Sequence, residues 1–570
     1  MKALSLFGVL ILAHLVSLLG RHIPLSAWTP IAYLWQDVLV ALLFAILDVC
    51  MKRARTVWVF YAILVVYVAI NVPVTRVLST PLTLPMLRAA RGPLRDSIAY
   101  YFTPLNLAAI VLVLVAGVVF PLLLSKRKFR FVMPLAIAGI AIVVVGPLSA
   151  SKVETVGMHR NAFGALLPVR LPDMAGATES ADWRVSPFPS TLDTGNGSQY
   201  RGAAAGRNVV LILLESTASR YLRLYGAEED PTPNLTQLAS QSLVFESAYS
   251  VYPESIRGLY AVLCSQYPLF GAPPDDYPAA PCVSVAEQLR QIGYRTALFH
   301  SGRFVYLGMK SVVENRGFET LEDAGDIGGN VNSSFGVDEP SAVKRMLSWV
   351  DSMPPGKRFF LTYIPVAGHH PYATPDPGPF PYTTEISNYR NALHYGDAAL
   401  GELLKGLKSR GLDEQTVFVI FGDHGEAFGQ HEGNYGHSFF IYDENIRVPY
   451  IIAAPGLIRA QTRIHFGASL IDTAPTILDL LGLPVPKRFQ GISLLEDRPR
   501  MALFFTDYSL GFLGLYDSCW KMIFETGTKR SKLYDVCVDP QETQDLSAKN
   551  EGRVAAYRAR LEEWIAAQNK

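Results

Sequence analysis

Five long apolar runs fill the first 150 residues, and they limit what this chain can fold into more than any other feature. Each run is close to the ~20 residues that a helix needs to cross the hydrocarbon layer of a bilayer. Inside that layer the backbone polar groups must be bonded within the segment, which favours helices. The sequence therefore predicts an anchor over residues 1–150 with five spans: Ala3 to Leu19, Ile31 to Cys50, Val57 to Val72, Leu105 to Leu124 and Val132 to Leu148.

Basic residues in the loops indicate the orientation of this anchor. Cytoplasmic loops are enriched in Lys and Arg, and the second and fourth loops carry Lys52, Arg53, Arg55, Lys126, Arg127, Lys128 and Arg130. Five crossings would then place everything after about Ala150 outside a bacterial-type cytoplasmic membrane. The third loop, with Arg76, Arg88, Arg91 and Arg95, either argues against this orientation or forms an amphipathic segment on the outer surface.

Two acids, Asp37 and Asp48, fall inside or near the second span. An ionisable side chain at that depth is costly and is usually paired or functional. Packing against another span and a path for lipid headgroups both fit the two residues.

The cysteines indicate an oxidising compartment. Four of the five, Cys264, Cys282, Cys519 and Cys537, lie in the predicted exterior part, an even number suited to two disulfides. The most local pairings are 264 with 282 and 519 with 537, although spacing alone leaves other pairings and four reduced thiols open. The formal net charge of +1 gives no sign of a nucleic-acid partner, and no oligomeric state follows from the sequence.

Beyond the anchor the pattern changes three times. Residues 151–206 are mixed and rich in Pro, Gly, Ser and Thr, which predicts a linker. From 207 to 500 short buried-strand runs such as Val209 to Leu214, Phe359 to Ile364 and Val417 to Phe421 alternate with helical stretches such as Asn391 to Arg410. This alternation predicts an α/β sandwich with a largely parallel sheet. Residues 501–570 predict a small C-terminal α+β subdomain of three short strands and a closing helix.

Two of the strand runs end in metal-ligand residues. Glu215 follows the first run, and Asp423 and His424 follow the run at Val417 to Phe421. Ligands of open α/β sheets collect beyond the carboxyl ends of the strands, so these side chains are expected to converge. Mixed oxygen and nitrogen ligands suit one divalent cation, with Mn, Zn, Mg and Ca not distinguished. Taken singly, an acid at a strand end is usually a helix cap, and it is the group of three residues that favours a metal site.

These residues belong to a series of motifs that resembles the sulfatase and alkaline phosphatase superfamily, especially its membrane-anchored lipoteichoic acid synthase and phosphoethanolamine transferase branches. The resemblance covers about Asn208 to Leu546 and implies an alkaline-phosphatase-like fold. Its motifs, in order, are Asn208-Val-Val-Leu-Ile-Leu-Leu-Glu-Ser, Thr232-Pro-Asn-Leu, Phe421-Gly-Asp-His-Gly-Glu, Arg447-Val-Pro, Asp472-Thr-Ala-Pro-Thr-Ile-Leu-Asp, Gln490-Gly-Ile-Ser-Leu-Leu, Leu533-Tyr-Asp and Asp539-Pro-Gln-Glu.

The resemblance implies that Ser255, which follows Thr232-Pro-Asn-Leu by about twenty residues, is a metal-bound nucleophile that opens a helix. The simpler alternative is that Ser255 only caps that helix. Sulfatases convert a Cys or Ser in a Cys/Ser-x-Pro-x-Arg motif into formylglycine, but here position 257 is Arg and position 259 is Leu. This departure favours phosphoester chemistry on an unmodified serine.

The resemblance also assigns roles to three histidines. His300 and His369 match substrate-contacting positions, and His437 matches a histidine that follows Asp-His-Gly-Glu and would serve the leaving group. His370 is a less favoured candidate than His369 for the substrate-contacting position, and His431 is interpreted as a structural or surface residue. Arg257 is expected either to pair with an anionic substrate or to be a solvated helix residue.

Three functions follow as hypotheses. The first is a membrane-anchored phosphotransferase that takes its group from a membrane lipid and passes it to an envelope glycan or lipid. The second is a hydrolase, either a phosphodiesterase or a sulfatase, that uses water as the acceptor. The third, a membrane sensor with a dead site, is disfavoured because every expected metal ligand is present.

Overall fold

The computed structural model describes residues 1–51, 53–89, 95–125, 132–169, 182–189, 197–333, 335–496, 498 and 500–568. Much of the predicted linker lies outside these ranges. So do six of the loop cations used for the orientation, Lys52, Arg91, Lys126, Arg127, Lys128 and Arg130. The orientation therefore remains a prediction.

The anchor is a bundle of long apolar helices. It comprises α1 (Lys2–Leu18), α2 (Thr29–Cys50), α3 (Ala54–Leu78), the short α4 (Leu84–Ala89) and α5 (Arg95–Tyr100), α6 (Pro104–Ser125) and α7 (Val132–Lys152). Within the described residues four helices, α2, α3, α6 and α7, are long and apolar enough to span a membrane. The prediction of five spans was wrong for α1, because its 17 residues reach only about 26 Å at 1.5 Å per residue. Instead, α1 packs against α2, α3 and α6.

A nine-stranded mixed sheet forms the centre of the next domain, in the order β11-β2-β12-β8-β1-β7-β3-β4, with β13 beside β2. All neighbouring pairs are parallel except those made by β11 and β12. The strands are β1 (Asn208–Leu214), β2 (Ser242–Tyr249), β3 (Arg295–His300), β4 (Thr320–Glu322), β7 (Phe359–Ile364), β8 (Thr416–Gly422), β11 (Arg447–Val448), β12 (Tyr450–Ala453) and β13 (Thr462–Ser469), with small hairpins β5–β6 (Val331–Ser333, Gly336–Val337) and β9–β10 (Ala427–Phe428, Tyr435–Gly436).

Helices cover both faces of this sheet. Successive side chains of a strand point to opposite faces, so Val209 and Leu211 of β1 join one hydrophobic cluster while Val210 and Ile212 join the other. The first cluster includes α9 and α16, and the second includes α13 and α14. The helices are α8 (Pro233–Ala239), α9 (Ser255–Cys264), α10 (Val285–Gln291), α11 (Met309–Val313), α12 (Ala324–Ile327), α13 (Glu339–Asp351), α14 (Glu385–Lys408), α15 (Asp443–Ile446) and α16 (Thr473–Leu480). The α/β sandwich expected from the sequence is present.

The C-terminal part is a four-stranded antiparallel sheet closed by one helix. It contains β14 (Ala502–Thr506), β15 (Phe512–Asp517), β16 (Trp520–Glu525), β17 (Arg530–Asp535) and α17 (Glu551–Gln568). Strand β15 was not predicted from the sequence, because Gly514 interrupts its apolar run; in the structure Gly514 packs under the ring of Phe504. Both local disulfides are formed, Cys264–Cys282 and Cys519–Cys537.

Candidate functional site

Strands β1 and β8 end side by side and set the position of the site. Leu214 pairs with Gly422 in the parallel register, so the next residues, Glu215 and Asp423, leave the sheet together. His424 follows directly, and one ligand atom from each of these three buried side chains lies within 4.8 Å of the others. The structure thus brings together the three residues that the sequence predicted to converge.

Hydrogen bonds orient the side chains of Asp423 and His424 at this point. Oδ1 of Asp423 accepts from the backbone N–H of Ser216 at 2.9 Å and of His424 at 2.8 Å. Its Oδ2 is buried and has no hydrogen-bond partner among the described residues. Nδ1 of His424 lies 2.9 Å from the carbonyl oxygen of Gly425, which holds the proton on Nδ1. The lone pair of Nε2 is therefore free for a ligand when the ring is neutral.

The site has an excess of buried negative charge. Burial and the neighbouring Asp423 carboxylate raise the pKa of Glu215 to about 8. Burial lowers the pKa of His424, but the Asp423 and Glu215 carboxylates outweigh burial and raise it overall. Two carboxylates that share one imidazole lack a full counter-charge, and a divalent cation would supply it.

Ser255 is the first residue of α9 and points at the same place. Its Oγ lies 3.1 Å from Oε2 of Glu215 and 3.1 Å from Nε2 of His424. The helix cap is the preceding residue, Glu254, whose side chain accepts from the backbone N–H of Arg257. The interpretation of Ser255 as a mere cap is therefore wrong.

Glu426 and His437 form a second charged pair beside the first group. Nδ1 of His437 lies 2.9 Å from Oε2 of Glu426, and the ring of His437 stacks on His424 with centroids 4.1 Å apart. Tyr372 donates to the other oxygen of Glu426 at 2.8 Å. Burial raises the pKa of Glu426, but His437 outweighs it and lowers that pKa overall. His437 was predicted as a site residue from the sequence, whereas Glu426 was not, although Glu426 stands two residues after His424.

The two other predicted histidines lie further out. The ring of His369 is 6.4 Å from that of His437, and burial lowers the pKa of His369 to about 4, so the imidazole is neutral. His300 ends β3, two strands from β1, with Nδ1 on the carbonyl oxygen of Ile364 at 2.9 Å. Burial lowers its pKa, while Asp423 is close enough to oppose that effect.

Arg257 is not the solvated helix residue that one interpretation of the sequence expected, and its substrate role remains a prediction. Its side chain is buried. Its guanidinium pairs with Asp507 and also donates to the hydroxyl of Tyr252 at 2.9 Å and to the carbonyl oxygen of Ala272 at 2.8 Å. These contacts engage three of the five N–H donors of the guanidinium. Asp507 lies 250 residues away, so no local sequence signal announced it.

The residues present fit one divalent cation. Four groups provide three oxygens and one nitrogen around one point: the unpartnered Oδ2 of Asp423, Nε2 of His424, the carboxylate of Glu215 and the hydroxyl of Ser255. A second group, His424, Glu426 and His437, also has ligand atoms within 4.8 Å of one another. This donor set is compatible with several divalent metals.

The arrangement defines a class of fold. The structure is similar to the lipoteichoic acid synthase LtaP from Listeria monocytogenes, with a TM-score of 0.51, 20% identity, and coverage of 70% of this chain and 97% of that one. It is also similar to a protein of the alkaline phosphatase superfamily from Vibrio parahaemolyticus, with a TM-score of 0.54, 21% identity, and coverage of 68% and 93%. These similarities show an alkaline-phosphatase-like α/β fold.

Two family models match parts of the sequence. Residues 207–483 match the family model described as Sulfatase, and residues 431–569 match the model described as N-sulphoglucosamine sulphohydrolase, C-terminal. Residues 207–483 of this chain are therefore similar to the sulfatase family.

Curated relatives include two kinds of enzyme. The lipoteichoic acid synthase-like YvgJ of Bacillus subtilis is 26% identical over 300 residues, which are 50% of this chain and 48% of that protein. Arylsulfatase K of Bos taurus is 31% identical over 189 residues, which are 29% of this chain and 34% of that protein. The chain thus spans about half or less of the curated relatives that it matches.

Proposed function

We propose that this protein is a membrane-anchored, metal-dependent enzyme that transfers or hydrolyses phosphate esters through Ser255. One observation carries the proposal: the Ser255 hydroxyl lies 3.1 Å from both Glu215 and His424, beside a buried Asp423 oxygen without a partner. A divalent cation held by these four residues would lower the pKa of the hydroxyl and neutralise charge on the ester oxygens.

The reaction has two halves. Oγ of Ser255 bonds to phosphorus as the bond to the leaving oxygen breaks, which gives a phosphoserine intermediate. The hydroxyl proton of Ser255 passes to Oε2 of Glu215, to which it donates. His437 is the proposed acid for that leaving oxygen, because Glu426 holds its Nδ1 and leaves Nε2 to give the proton. In the second half an alcohol or water attacks phosphorus and its proton returns to His437. The bond from phosphorus to Oγ breaks, and the proton held by Glu215 restores the Ser255 hydroxyl. His300 and His369 are the proposed substrate-contacting residues.

The anchor favours an amphiphilic substrate and an envelope acceptor. Tyr101, next to α5, stacks on His370 with centroids 5.8 Å apart, so the membrane part reaches the residue beside His369. We propose a membrane lipid as donor and an envelope glycan or lipid as acceptor.

We place the catalytic domain outside the cytoplasmic membrane. With the basic loops after α2 and α6 on the cytoplasmic side, α7 leads outward whether or not α1 spans. The two disulfides support an oxidising compartment.

Hydrolysis of a sulfate ester is the second candidate. The Sulfatase family model and the 31% identity to arylsulfatase K favour it. Against it, Arg257 and Leu259 break the motif that directs formylglycine formation, and the guanidinium of Arg257 is already committed to Asp507.

The test incubates the full chain in detergent with labelled phosphatidylglycerol, labelled phosphatidylethanolamine, a chromogenic phosphodiester and a chromogenic sulfate ester. Release of diacylglycerol that requires a glycan acceptor supports transfer, and acceptor-independent release supports hydrolysis. Mass spectrometry of peptide 250–260 with trapped substrate is expected to show a phosphoryl group on Ser255. A formylglycine at position 255 would establish the sulfatase instead.

Ser255→Ala is expected to remove activity on every ester that the protein cleaves. Ser265→Ala is the matched control, because Ser265 ends the same helix and bonds to the carbonyl oxygen of Ile471. Full activity in Ser255→Ala, or an equal loss in both variants, would show that Ser255 is not the nucleophile.

A further inference from the structure

The anchor contains a polar cavity that the proposed reaction does not use. Asp37 of α2 is buried in it, at 2% exposure, among α1, α3 and the chain that follows α7. The cavity has about 40 Å³ of water-accessible volume, which is room for about three waters. An ionisable group at membrane depth usually marks a functional site. The second acid of that helix, Asp48, is paired with Lys2 at 2.6 Å and needs no further partner.

Both carboxylate oxygens of Asp37 have hydrogen-bond partners, and one of them orients the imidazole of His14. Its Oδ2 lies 2.8 Å from Nδ1 of His14, and its Oδ1 accepts from the side-chain amide of Asn161. Because the carboxylate can only accept, the proton of the imidazole sits on Nδ1. The remaining ring nitrogen, Nε2, is buried without a hydrogen-bond partner among the described residues, and His14 lines the cavity. The side chain of His14 is only 8% exposed.

Arg160 adds a positive charge to the same cavity. Its guanidinium donates to the carbonyl oxygen of Ser509 at 2.7 Å, but within the described ranges no carboxylate lies within ion-pair distance of it. Burial lowers its pKa to about 10, so it stays charged at neutral pH. A half-buried cation without a carboxylate is costly unless an anion joins it.

We propose that this cavity binds a phosphate anion, with Arg160 and Nε2 of His14 as its two direct contacts. Guanidinium and imidazolium groups both make charge-assisted hydrogen bonds to phosphate oxygens. When His14 is protonated, the two cations outweigh Asp37, the one acid among the described residues that line the cavity.

The depth of the cavity points to a lipid headgroup as the source of the phosphate. It lies at the end of the bundle that meets the catalytic domain, where Thr80 bonds to Ser509 at 2.6 Å. A free phosphate ion has the same hydrogen-bonding groups as the phosphate of a lipid headgroup, and the experiment separates these two sources. The site is distinct from the catalytic one, so it stands whether or not the proposed reaction is right.

The test measures binding to the full chain in detergent by native mass spectrometry, in a Ser255→Ala background so that no lipid is turned over. The probes are dioleoyl phosphatidylglycerol, dioleoylglycerol, which has the same chains without phosphate, and inorganic phosphate. The first lipid to bind is expected to be the phospholipid. Arg160→Gln and His14→Gln should each weaken that step about tenfold, as loss of one charge-assisted hydrogen bond predicts, and Arg160→Lys should retain part of it.

Arg88→Gln is the control, because it removes an exposed arginine from α4 outside the cavity. Saturable binding of inorganic phosphate with the same dependence on Arg160 and His14 would assign the site to the free anion. Equal binding of phospholipid and dioleoylglycerol, or equal losses in the Arg160 and Arg88 variants, would overturn the proposal. Thermal unfolding of each variant identifies any loss of binding that comes from misfolding. If Arg160→Gln misfolds, the binding measured with Arg160→Lys tests the role of Arg160 instead.

Discussion

Nδ1 of His437 lies 2.9 Å from Oε2 of Glu426, and the hairpin of β9 and β10 separates the two residues. Glu426 immediately precedes β9, and His437 immediately follows β10. The adjoining residues, Ala427 of β9 and Gly436 of β10, pair with each other. The hairpin therefore holds a carboxylate and an imidazole at one end, next to His424. A pair fixed in this way orients the imidazole and keeps Nε2 available for proton transfer.

The pair of Glu426 and His437 gives the first prediction. His437→Ala is expected to lower kcat about 10²–10⁴-fold, as for a general acid, and Glu426→Gln about 10–100-fold, as for an orienting partner. Because the two act as a unit, the double variant should be no slower than His437→Ala. Steady-state kinetics on the best ester measures this, and losses that multiply in the double variant would separate the two residues.

Removal of metal gives the second prediction. Chelation is expected to abolish activity, and a divalent metal restored at ~100 times its Kd should stabilise the fold by about 2.7 kcal/mol. Asp423→Asn should lose most of this stabilisation, because it weakens the buried ligand oxygen that has no other partner. Differential scanning fluorimetry with and without metal checks it, with Asp397→Asn as a control acid whose oxygens are bonded to Asn234 and Leu235. Equal metal stabilisation of Asp423→Asn and the parent protein would contradict the assigned ligand.

The buried pair of Arg257 and Asp507 gives the third prediction. Asp507→Asn leaves a buried guanidinium without its counter-charge and is expected to destabilise the domain by about 3–5 kcal/mol. The control is Asp182→Asn, since Asp182 pairs with Arg184 at the surface and such pairs contribute about 0–1 kcal/mol. Thermal or urea unfolding measures both.

A substrate role for Arg257 would give a different result. In that case Asp507→Asn would change the KM for an anionic ester while unfolding stayed like that of Asp182→Asn. Replacing both members of the pair by Met and Leu should recover part of the lost stability, which only a structural pair predicts.

A buried charge cluster under the C-terminal sheet gives the fourth prediction. Lys521 contacts two carboxylates, Asp443 at 2.7 Å and Glu542 at 2.8 Å. Burial, and then the neighbouring Asp443, raise the pKa of Glu542 from 4.5 to about 7 despite Lys521. A raised pKa means that the folded state binds the proton more tightly than the unfolded state. The resulting contribution to folding stability is fully present below about pH 4.5 and is lost as pH rises through about 7.

Glu542→Gln cannot ionise at this position, so it should not lose folding stability in this way as pH rises. Its Tm relative to the parent protein is expected to rise by a few degrees between pH 5 and pH 8, measured by scanning fluorimetry on the full chain in detergent. Glu228→Gln is the control, because Glu228 is exposed. A constant difference between parent and Glu542→Gln across that range would show that Glu542 does not titrate there.

Much of the fold and part of the site could be predicted from the sequence. Continuous apolar runs indicated β1, β7 and β8, which are adjacent in the sheet. Because parallel strands end at one edge, the residues after two of these runs, Glu215 and Asp423, had to meet if the strands were neighbours. The helix that begins at Ser255 was equally visible, since its start follows Pro253. The roles of these residues remain predictions.

Contacts between distant segments were decided only by the tertiary structure. Hydropathy and spacing report local conformation and burial, but they do not say which buried charge meets which. The pairing of Arg257 with Asp507, that of Glu426 with His437, and the cavity formed by His14, Asp37 and Arg160 each depend on how separate elements pack. The sequence by itself determined the apolar helices, the α/β core and the strand-end ligands, because these follow from local patterns. Only packing decided which charges are neutralised and which remain free to bind a ligand.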